Sequence, residues 1–198
     1  MSLSPAELLP LISYCFVMSS TPGPNNVMLA SSGANFGYRR ALPQILGING
    51  GVAVQTYLTC LGLGQVFNAF PVLHQLLRIV GALYLLWLAW QISGAAVSAA
   101  HEAKPLSAWQ AALFQAVNPK TWVKAITLAT VFMPTGLSTP IAALVVTLVG
   151  MVVGFPSSSM WALFGVAIRR VLTDPAKQRV FNLCMGAMLV VLAISLLR

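Results

Sequence analysis

The chain has 198 residues, of which 58% are hydrophobic and 7% are charged, and its mean hydropathy is +0.84. A soluble domain carries about 25% charged residues, and a soluble fold of this length could not bury so much apolar surface. These values exclude a soluble globular protein and indicate an integral membrane protein. The net charge of +8 does not indicate nucleic-acid binding, because the basic residues cluster in short loops between apolar segments.

The apolar segments are continuous runs without the alternation of apolar and polar residues that marks an outer-membrane barrel. A membrane-spanning helix needs about 20 apolar residues. We therefore predict an all-α membrane protein, a single transmembrane domain over residues 1–198, with six transmembrane helices. They are expected at about residues 6–34, 41–66, 72–94, 108–133, 139–168 and 178–197.

Predicted helix 1 contains a dense group of helix-breaking residues. Pro22 and Pro24 remove backbone donors and Gly23 permits unusual dihedral angles, so the helix is expected to stop near Ser20 and restart near Asn25. In lipid an unpaired backbone group costs several kcal/mol, so such a break survives only inside protein or beside a water-filled cavity. The restarted helix would present free N–H groups to a carboxylate, and the free carbonyls before the break would suit an ammonium group. We therefore predict a binding site for a zwitterion at Thr21, Pro22, Gly23, Pro24, Asn25 and Asn26.

Predicted helix 2 carries three amide side chains, Gln44, Asn49 and Gln55. These side chains either line the transport pathway or join helices by hydrogen bonds, which contribute about 0.6 kcal/mol each on average in membranes.

Predicted helix 4 contains a second break, at Asn118, Pro119 and Lys120. Asn118 can cap the restarted helix, and Pro119 suits its first position. Lys120 then lies about a dozen residues into the span, where a charge is costly and usually functional. It either anchors a substrate carboxylate, replaces a transported cation between cycles, or reaches the membrane surface along its own stem. Lys124, one turn further, either lines the same path or pairs with a carbonyl.

Predicted helix 5 contains Pro156, where we expect a bend, followed by three serines that could bond the carbonyls freed by the proline. Small residues four apart occur in helix 5 at Gly150 and Gly154 and in helix 2 at Gly47 and Gly51, a spacing that lets helix backbones approach closely.

The matched breaks and matched glycine pairs indicate an internal repeat, with one half at about 5–94 and the other at about 107–198. Because each half has three spans, the halves insert in opposite orientations. A pair of interrupted helices at corresponding positions of two halves is the sequence feature that marks the binding site of a secondary transporter. Substrate is expected to bind between the two breaks.

Membrane orientation follows from the distribution of Lys and Arg. Arg78 and Arg198 fall on one predicted side, and Lys120 and Lys124 lie within helix 4. The other side carries the remaining seven: Arg39, Arg40, Lys104, Arg169, Arg170, Lys177 and Arg179. We expect this side to be cytoplasmic and both termini to lie outside.

The sequence offers no catalytic residues, cofactor site or metal site. Cys15, Cys60 and Cys184 are far apart in apolar runs, without the spacing of metal ligands or redox motifs. The three acidic residues, Glu7, Glu102 and Asp174, lie near helix ends or in loops. No residue is therefore evident that could carry a proton as a carboxylate in mid-membrane.

Several stretches together resemble the lysine exporter (LysE) superfamily, above all its homoserine/threonine resistance branch. They are the Pro-Gly-Pro-Asn at 22–25, the glycines at 37, 47 and 51, residues 81–87, and Phe114 through Asn118-Pro119-Lys120. Residues 104–107 and the Trp-Leu-Ala-Trp at 87–90 are similar to the subgroup that exports cysteine and O-acetylserine. The likeness extends over nearly the whole chain.

The resemblance implies a six-helix inner-membrane exporter, driven by protons, that removes surplus amino acids. Exporters of basic amino acids in this superfamily carry an acidic residue in helix 2, where this chain has Asn49-Gly50-Gly51. This difference argues against lysine or arginine as substrates. We therefore expect a small neutral amino acid, with its carboxylate at the restarted helix 1 and Lys120. Its ammonium is expected at the carbonyls of residues 20–22 and the amides of Asn25 and Asn26.

Two other function classes remain open at this stage. A membrane thiol-transfer oxidoreductase would need reactive cysteines in helices 1 and 4, and helix 4 has none. A divalent-metal or ion permease would need carboxylates or thiolates inside the membrane. The sequence does not fix the amino acid, the proton stoichiometry or the oligomeric state, and it leaves a homo-oligomer open.

Overall fold

The computed structural model describes residues 5–63, 71–94, 105–169 and 174–197. In these residues it contains eight α-helices: α1 Pro5–Ser20, α2 Pro24–Phe36, α3 Tyr38–Leu58, α4 Pro71–Gly94, α5 Ala108–Phe114, α6 Pro119–Val131, α7 Thr139–Arg169 and α8 Pro175–Leu197. The prediction of an all-α protein is confirmed. Lys104, Arg170 and Arg198, which enter the orientation argument, lie outside the described residues.

The first predicted span is two helices, because the chain leaves helical geometry where its prolines require it. Helix α1 ends at Ser20, and Pro24 begins α2 after an extended Gly23. At the other end of α2, Gly37 adopts a φ of 82°, a left-handed geometry that favours glycine, and α3 starts at the next residue.

The second and fourth predicted spans also depart from simple helices. The α-helical geometry of α3 ends at Leu58. A wider, π-helical turn follows at Thr59–Leu63, and Gly62 in this turn has a φ of 118°. Helix α5 starts with a capping box between Ser107 and Gln110, and a tight turn at Gln115–Val117 leads to the second break.

Helix α7 runs without interruption through Pro156. The following serines mostly join helices. Ser157 donates to the Val153 carbonyl at 3.0 Å, one residue beyond the Val152 carbonyl that Pro156 leaves without its helical donor. Ser158 accepts from Asn49 on α3, and Ser159 bonds the Tyr38 hydroxyl. The expectation that the serines bond the freed carbonyl is therefore not met.

The surface of the helices fits a membrane. Within the described residues three segments are long and apolar enough to cross one: Tyr38–Leu63, Thr139–Arg169 and Pro175–Ser195. Two shorter apolar helices are Ala6–Ser20 and Ile79–Ser93. Large apolar side chains such as Val152 (73% exposed) and Trp90 (72%) face outward, which is favourable in lipid and unfavourable in water.

The apolar core packs each of the two helices at the first break, α1 and α2, against one of the two helices at the second break, α5 and α6. One cluster joins α1 to α6 through Leu11 and Leu128, with Val146 of α7 beside them. Another joins α2 to α5 through Val27 and Phe114. Helix α7 packs against both α1 and α2, and α4 packs against α8. The breaks are therefore fixed beside one another by packing on either side.

Glycines allow several close helix contacts, and one of them, between α3 and α5, involves a predicted pair. A Cβ atom added at Gly47 would overlap the carbonyl oxygen of Ala108, so α3 and α5 touch backbone to backbone. A Cβ atom at Gly33 of α2 would overlap the carbonyl oxygen of Ala162 of α7. Gly150, by contrast, has open space around it. Gly150 therefore does not repeat the packing role of Gly47, and the glycine of α7 that touches a helix backbone is Gly165, at the Ala30 carbonyl of α2.

The close contact at Gly33 leads to a prediction about the stability of the protein. Gly33→Ala is expected to destabilise the protein by about 1–3 kcal/mol, because α2 must move away from α7. Gly150→Ala is the matched control and should be neutral or slightly stabilising, since alanine favours a helix over glycine. The stabilities of the two purified variants are compared by their thermal unfolding midpoints in the same detergent. Equal midpoints for the two variants would show that the contact is not a close one.

Candidate functional site

The carbonyl end of α1 is bound by donors from the protein itself. Asn26 directs its Nδ2 back to the carbonyl oxygens of Ser19, at 2.9 Å, and Thr21, at 2.7 Å. Trp161 of α7 donates its Nε1 to the Ser20 carbonyl at 3.2 Å. These carbonyls have no helical partners because the helix stops, so side chains satisfy them instead.

The second break starts α6 with the cap predicted from the sequence. Asn118 accepts a hydrogen bond from the Lys120 backbone N–H at 3.2 Å, and Pro119 is the first helical residue. The Thr121 hydroxyl donates to the carbonyl of Asn118 at 2.8 Å and is 3.2 Å from that of Gln115. Asn118 is 1% exposed, so this cap is part of the interior.

The two breaks meet through Lys120. Its ammonium lies 2.9 Å from the Thr21 hydroxyl and 3.2 Å from the Pro22 carbonyl oxygen, and it also donates to the Thr21 carbonyl. The stem of Lys120 crosses directly over Gly23, where an added Cβ would lie 2.7 Å from the lysine Cδ. Glycine at position 23 thus leaves the space that Lys120 uses.

An amide pair links the breaks a second time. Asn25 donates to the Gln115 side-chain oxygen at 2.9 Å, and Gln115 donates to the Asn25 oxygen at 3.1 Å. Gln115 is 1% exposed and also donates to the Ala111 carbonyl. The start of α2 is therefore tied to the turn that precedes α6.

Lys124 places a second ammonium beside the first break. It is 6% exposed, and its Nζ lies 3.1 Å from the Ser19 hydroxyl. None of the described residues that line the surrounding cavity is acidic. When protonated, the two lysines give the site positive charge, with amide and hydroxyl groups around it, which favours an anionic group in the cavity.

A cavity lies between the breaks and is walled by α1, α2, α3, α6 and α7. Of the predicted site residues, those that line it are Gly23, Asn25, Asn26, Asn49, Asn118, Lys120 and Lys124. Thr21 and Pro22 contact Lys120, and Pro24 and Pro119 are the first residues of α2 and α6. Asn49 donates to the Ile45 carbonyl and to Ser158 across the cavity wall.

The other two amides of α3 lie outside the cavity lining. Gln44 accepts a 2.6 Å hydrogen bond from Ser32 of α2. The Gln55 amide lies 3.0 Å from both the Thr121 hydroxyl and the Trp122 Nε1, so its nitrogen is assigned to the threonine side and its oxygen to the tryptophan side. Both residues occupy the helix-joining position that the sequence offered as the alternative.

The site residues that were not predicted include Ser19, Gln115, Thr121, Thr147 and Trp161. Gln115 could have been noticed as a polar residue three positions before Asn118. Thr147 is a lone hydroxyl in the apolar run of α7, and among the described residues its buried side-chain oxygen is the one without a hydrogen-bond partner. It is 7% exposed and lines the cavity.

Comparison with known proteins identifies the family of the chain and several relatives. The model of the LysE type translocator family matches residues 16–198. The cysteine/O-acetylserine efflux protein of Klebsiella pneumoniae is 28% identical, over 98% of this chain and 98% of that protein. The protein of the same name from Escherichia coli strain K12 is 28% identical, over 98% of this chain and 99% of that protein. No solved structure matches the chain.

Proposed function

The chain belongs to the LysE type translocator family, and from this membership we propose that it exports small neutral amino acids of the cysteine/O-acetylserine or homoserine/threonine kind. One observation carries the proposal. Lys120 of the second break binds the carbonyl end of the first, so that both breaks border one cavity. The full-length similarity to cysteine/O-acetylserine efflux proteins supports this substrate class.

The proposed architecture is six spans in two inverted repeats in the inner membrane, with both termini outside. Helices α1 and α2 correspond to α5 and α6, α3 to α7, and α4 to α8. The similar positions of the two breaks and the contact between α3 and α7 support this correspondence. Rocking of one repeat against the other would expose the cavity to each side in turn.

In this arrangement the substrate lies between the breaks with its two charges on opposite groups. Its carboxylate binds between the start of α2 and the buried ammonium of Lys124. Its ammonium binds the carbonyls of Thr21 and Pro22, which accept hydrogen bonds from Lys120 in this conformation. The carboxylate role foreseen for Lys120 thus passes to Lys124, because the Lys120 ammonium is turned towards carbonyl oxygens.

The two alternative classes find no support in the cavity. Within the part of the chain that the structure describes, its lining residues include no cysteine, histidine, aspartate or glutamate. Thiol transfer needs reactive cysteines, and divalent cations need oxygen anions or thiolates.

The direct test of the proposed function is efflux of a panel of labelled amino acids from cells that produce the protein, compared with cells that carry the empty vector. Selective extrusion of O-acetylserine and cysteine, or of homoserine and threonine, is expected. If the inserted protein increases the efflux of no amino acid, the proposal fails.

The unpaired hydroxyl of Thr147 leads to a prediction about the selectivity of export between amino acids. Leaving a buried hydroxyl unpaired costs about 1–3 kcal/mol, a cost that a polar substrate side chain in the cavity would remove. Thr147→Val is therefore expected to lower the ratio of O-acetylserine to 2-aminobutyrate efflux about tenfold. Thr127→Val is the matched control, since its hydroxyl bonds its own helix at the Val123 carbonyl. An unchanged ratio in Thr147→Val would remove Thr147 from the substrate contacts.

A further inference from the structure

The ammonium of Lys120 occupies the place that the proposed function gives to the ammonium of the substrate. It donates to the Thr21 carbonyl, lies 2.9 Å from the Thr21 hydroxyl and 3.2 Å from the Pro22 carbonyl. An α-amino group has the same three N–H donors and the same charge. The lysine is therefore an internal copy of the group that the site has to bind.

Two ammonium groups cannot share these oxygens. Both would carry a full positive charge at hydrogen-bond distance from the same acceptors, with Lys124 one helical turn away adding a third. Among the described residues that line the cavity, Lys120 and Lys124 are the titratable ones, and the proposed function pairs the substrate carboxylate with Lys124, so no acidic group is left to offset a second ammonium at the carbonyls. The Cys15 thiol of α1 is the further titratable group near Lys124. A lysine that is displaced from the carbonyls is thus driven to become neutral.

We propose that Lys120 carries the coupling proton, by alternating with the substrate ammonium at the Thr21 and Pro22 carbonyls. This inference rests on the proposed function. When the cavity faces the cytoplasm, the substrate ammonium replaces the Lys120 ammonium, whose Nζ gives one proton to cytoplasmic water. After the substrate leaves on the outside, Nζ takes one proton from external water and binds the carbonyls again.

The exchange fixes the charge that moves in each cycle. A neutral zwitterion goes out and one proton comes in, so one positive charge enters per amino acid exported. The protonated lysine bound to the carbonyls lets the substrate-free protein return, because the carbonyls keep a donor throughout. No membrane carboxylate is required.

The test uses purified protein in liposomes and compares two modes of transport. Wild type should exchange labelled for unlabelled O-acetylserine without a pH gradient, and should also accumulate it when a gradient is imposed. Lys120→Met should still exchange, because the carbonyls remain available, but its accumulation ratio should fall to that of liposomes without a gradient. Lys177→Met changes an exposed lysine at the start of α8 and is the matched control.

Three results would overturn the inference. The first is gradient-driven accumulation by Lys120→Met at the wild-type ratio. The second is a folded Lys120→Met that has lost both exchange and accumulation. The third is a wild-type transport cycle that moves no net charge. If Lys120→Met does not fold, a measurement on the wild-type protein alone tests the inference. Substrate binding in weakly buffered detergent solution should release about one proton per molecule bound, and no release would contradict the inference. Failure of wild type to move any amino acid would instead defeat the proposed function.

Discussion

Replacing Asn26 with leucine is expected to reduce efflux about 100-fold while the protein remains inserted in the membrane. Its amide donates to the carbonyls of Ser19 and Thr21, at the end of α1. The substitution takes the side-chain donor from the Ser19 carbonyl and leaves the Thr21 carbonyl with Lys120 alone. A buried acceptor that loses its hydrogen bond costs about 1–3 kcal/mol, and every 1.4 kcal/mol is a factor of about ten in rate or affinity. The measurement is initial efflux of labelled substrate per inserted protein.

The matched control for Asn26→Leu is Asn35→Leu. Asn35 lies in the same helix, and its amide bonds Ser31 and Asn182 outside the cavity. This variant should be less stable but should keep its efflux per inserted molecule. If both variants lose efflux equally, the effect of Asn26 is one of helix packing and not of the break.

Replacing Lys124 with methionine is expected to remove the preference for a carboxylate. The ammonium is buried beside the Ser19 hydroxyl, and the described lining of the cavity contains no acidic residue to pair with it. Loss of one partner of a buried charge pair costs about 3–5 kcal/mol, so the apparent affinity for the amino acid should fall at least about 100-fold.

A pair of competitors separates this role from general damage. An amino acid and the amine that lacks its carboxylate should compete very differently for the wild-type protein and almost equally for Lys124→Met. Lys177→Met should behave as wild type, since Lys177 is exposed on α8. A carboxylate preference that survives in Lys124→Met would assign the anion to another group.

The breaks themselves could be predicted because they follow from local chemistry. Pro22 and Pro24 cannot continue a helix, and an asparagine before a proline caps a new one. The structure accordingly ends α1 at Ser20 and starts α6 after Asn118. The resemblance to the LysE superfamily is likewise confirmed by the match of the family model.

The partners of the breaks could not be predicted, because they come from distant parts of the chain. The carbonyls expected to be free are bound by Lys120 and Trp161, residues about 100 and 140 positions away in sequence. A pattern within one segment does not reveal such contacts, which depend on how α6 and α7 cross α1. The same reason explains why the sequence did not reveal that the Lys124 ammonium is buried beside the Ser19 hydroxyl of the first break.

The glycine pairs show how a local pattern can be right in kind and wrong in place. Gly47 allows a close helix contact as predicted. Gly150 has the same spacing to its partner glycine but faces the cavity, whereas Gly33, which no spacing singled out, touches the backbone of α7. Spacing indicates that a helix can be approached closely, and the tertiary fold decides which helix approaches.

The central claim is that the two breaks form one substrate site, and Gly150 allows the most direct measurement of it. A side chain at Gly150 meets open space inside the cavity. The variant Gly150→Cys is made in a chain whose Cys15, Cys60 and Cys184 are replaced by alanine, and its labelling by a water-soluble thiol reagent is timed. O-acetylserine at ten times its dissociation constant should slow this labelling about tenfold. Labelling of Asp174→Cys, outside the cavity, should not change. Labelling of Gly150→Cys at the same rate with and without an exported substrate would contradict the claim.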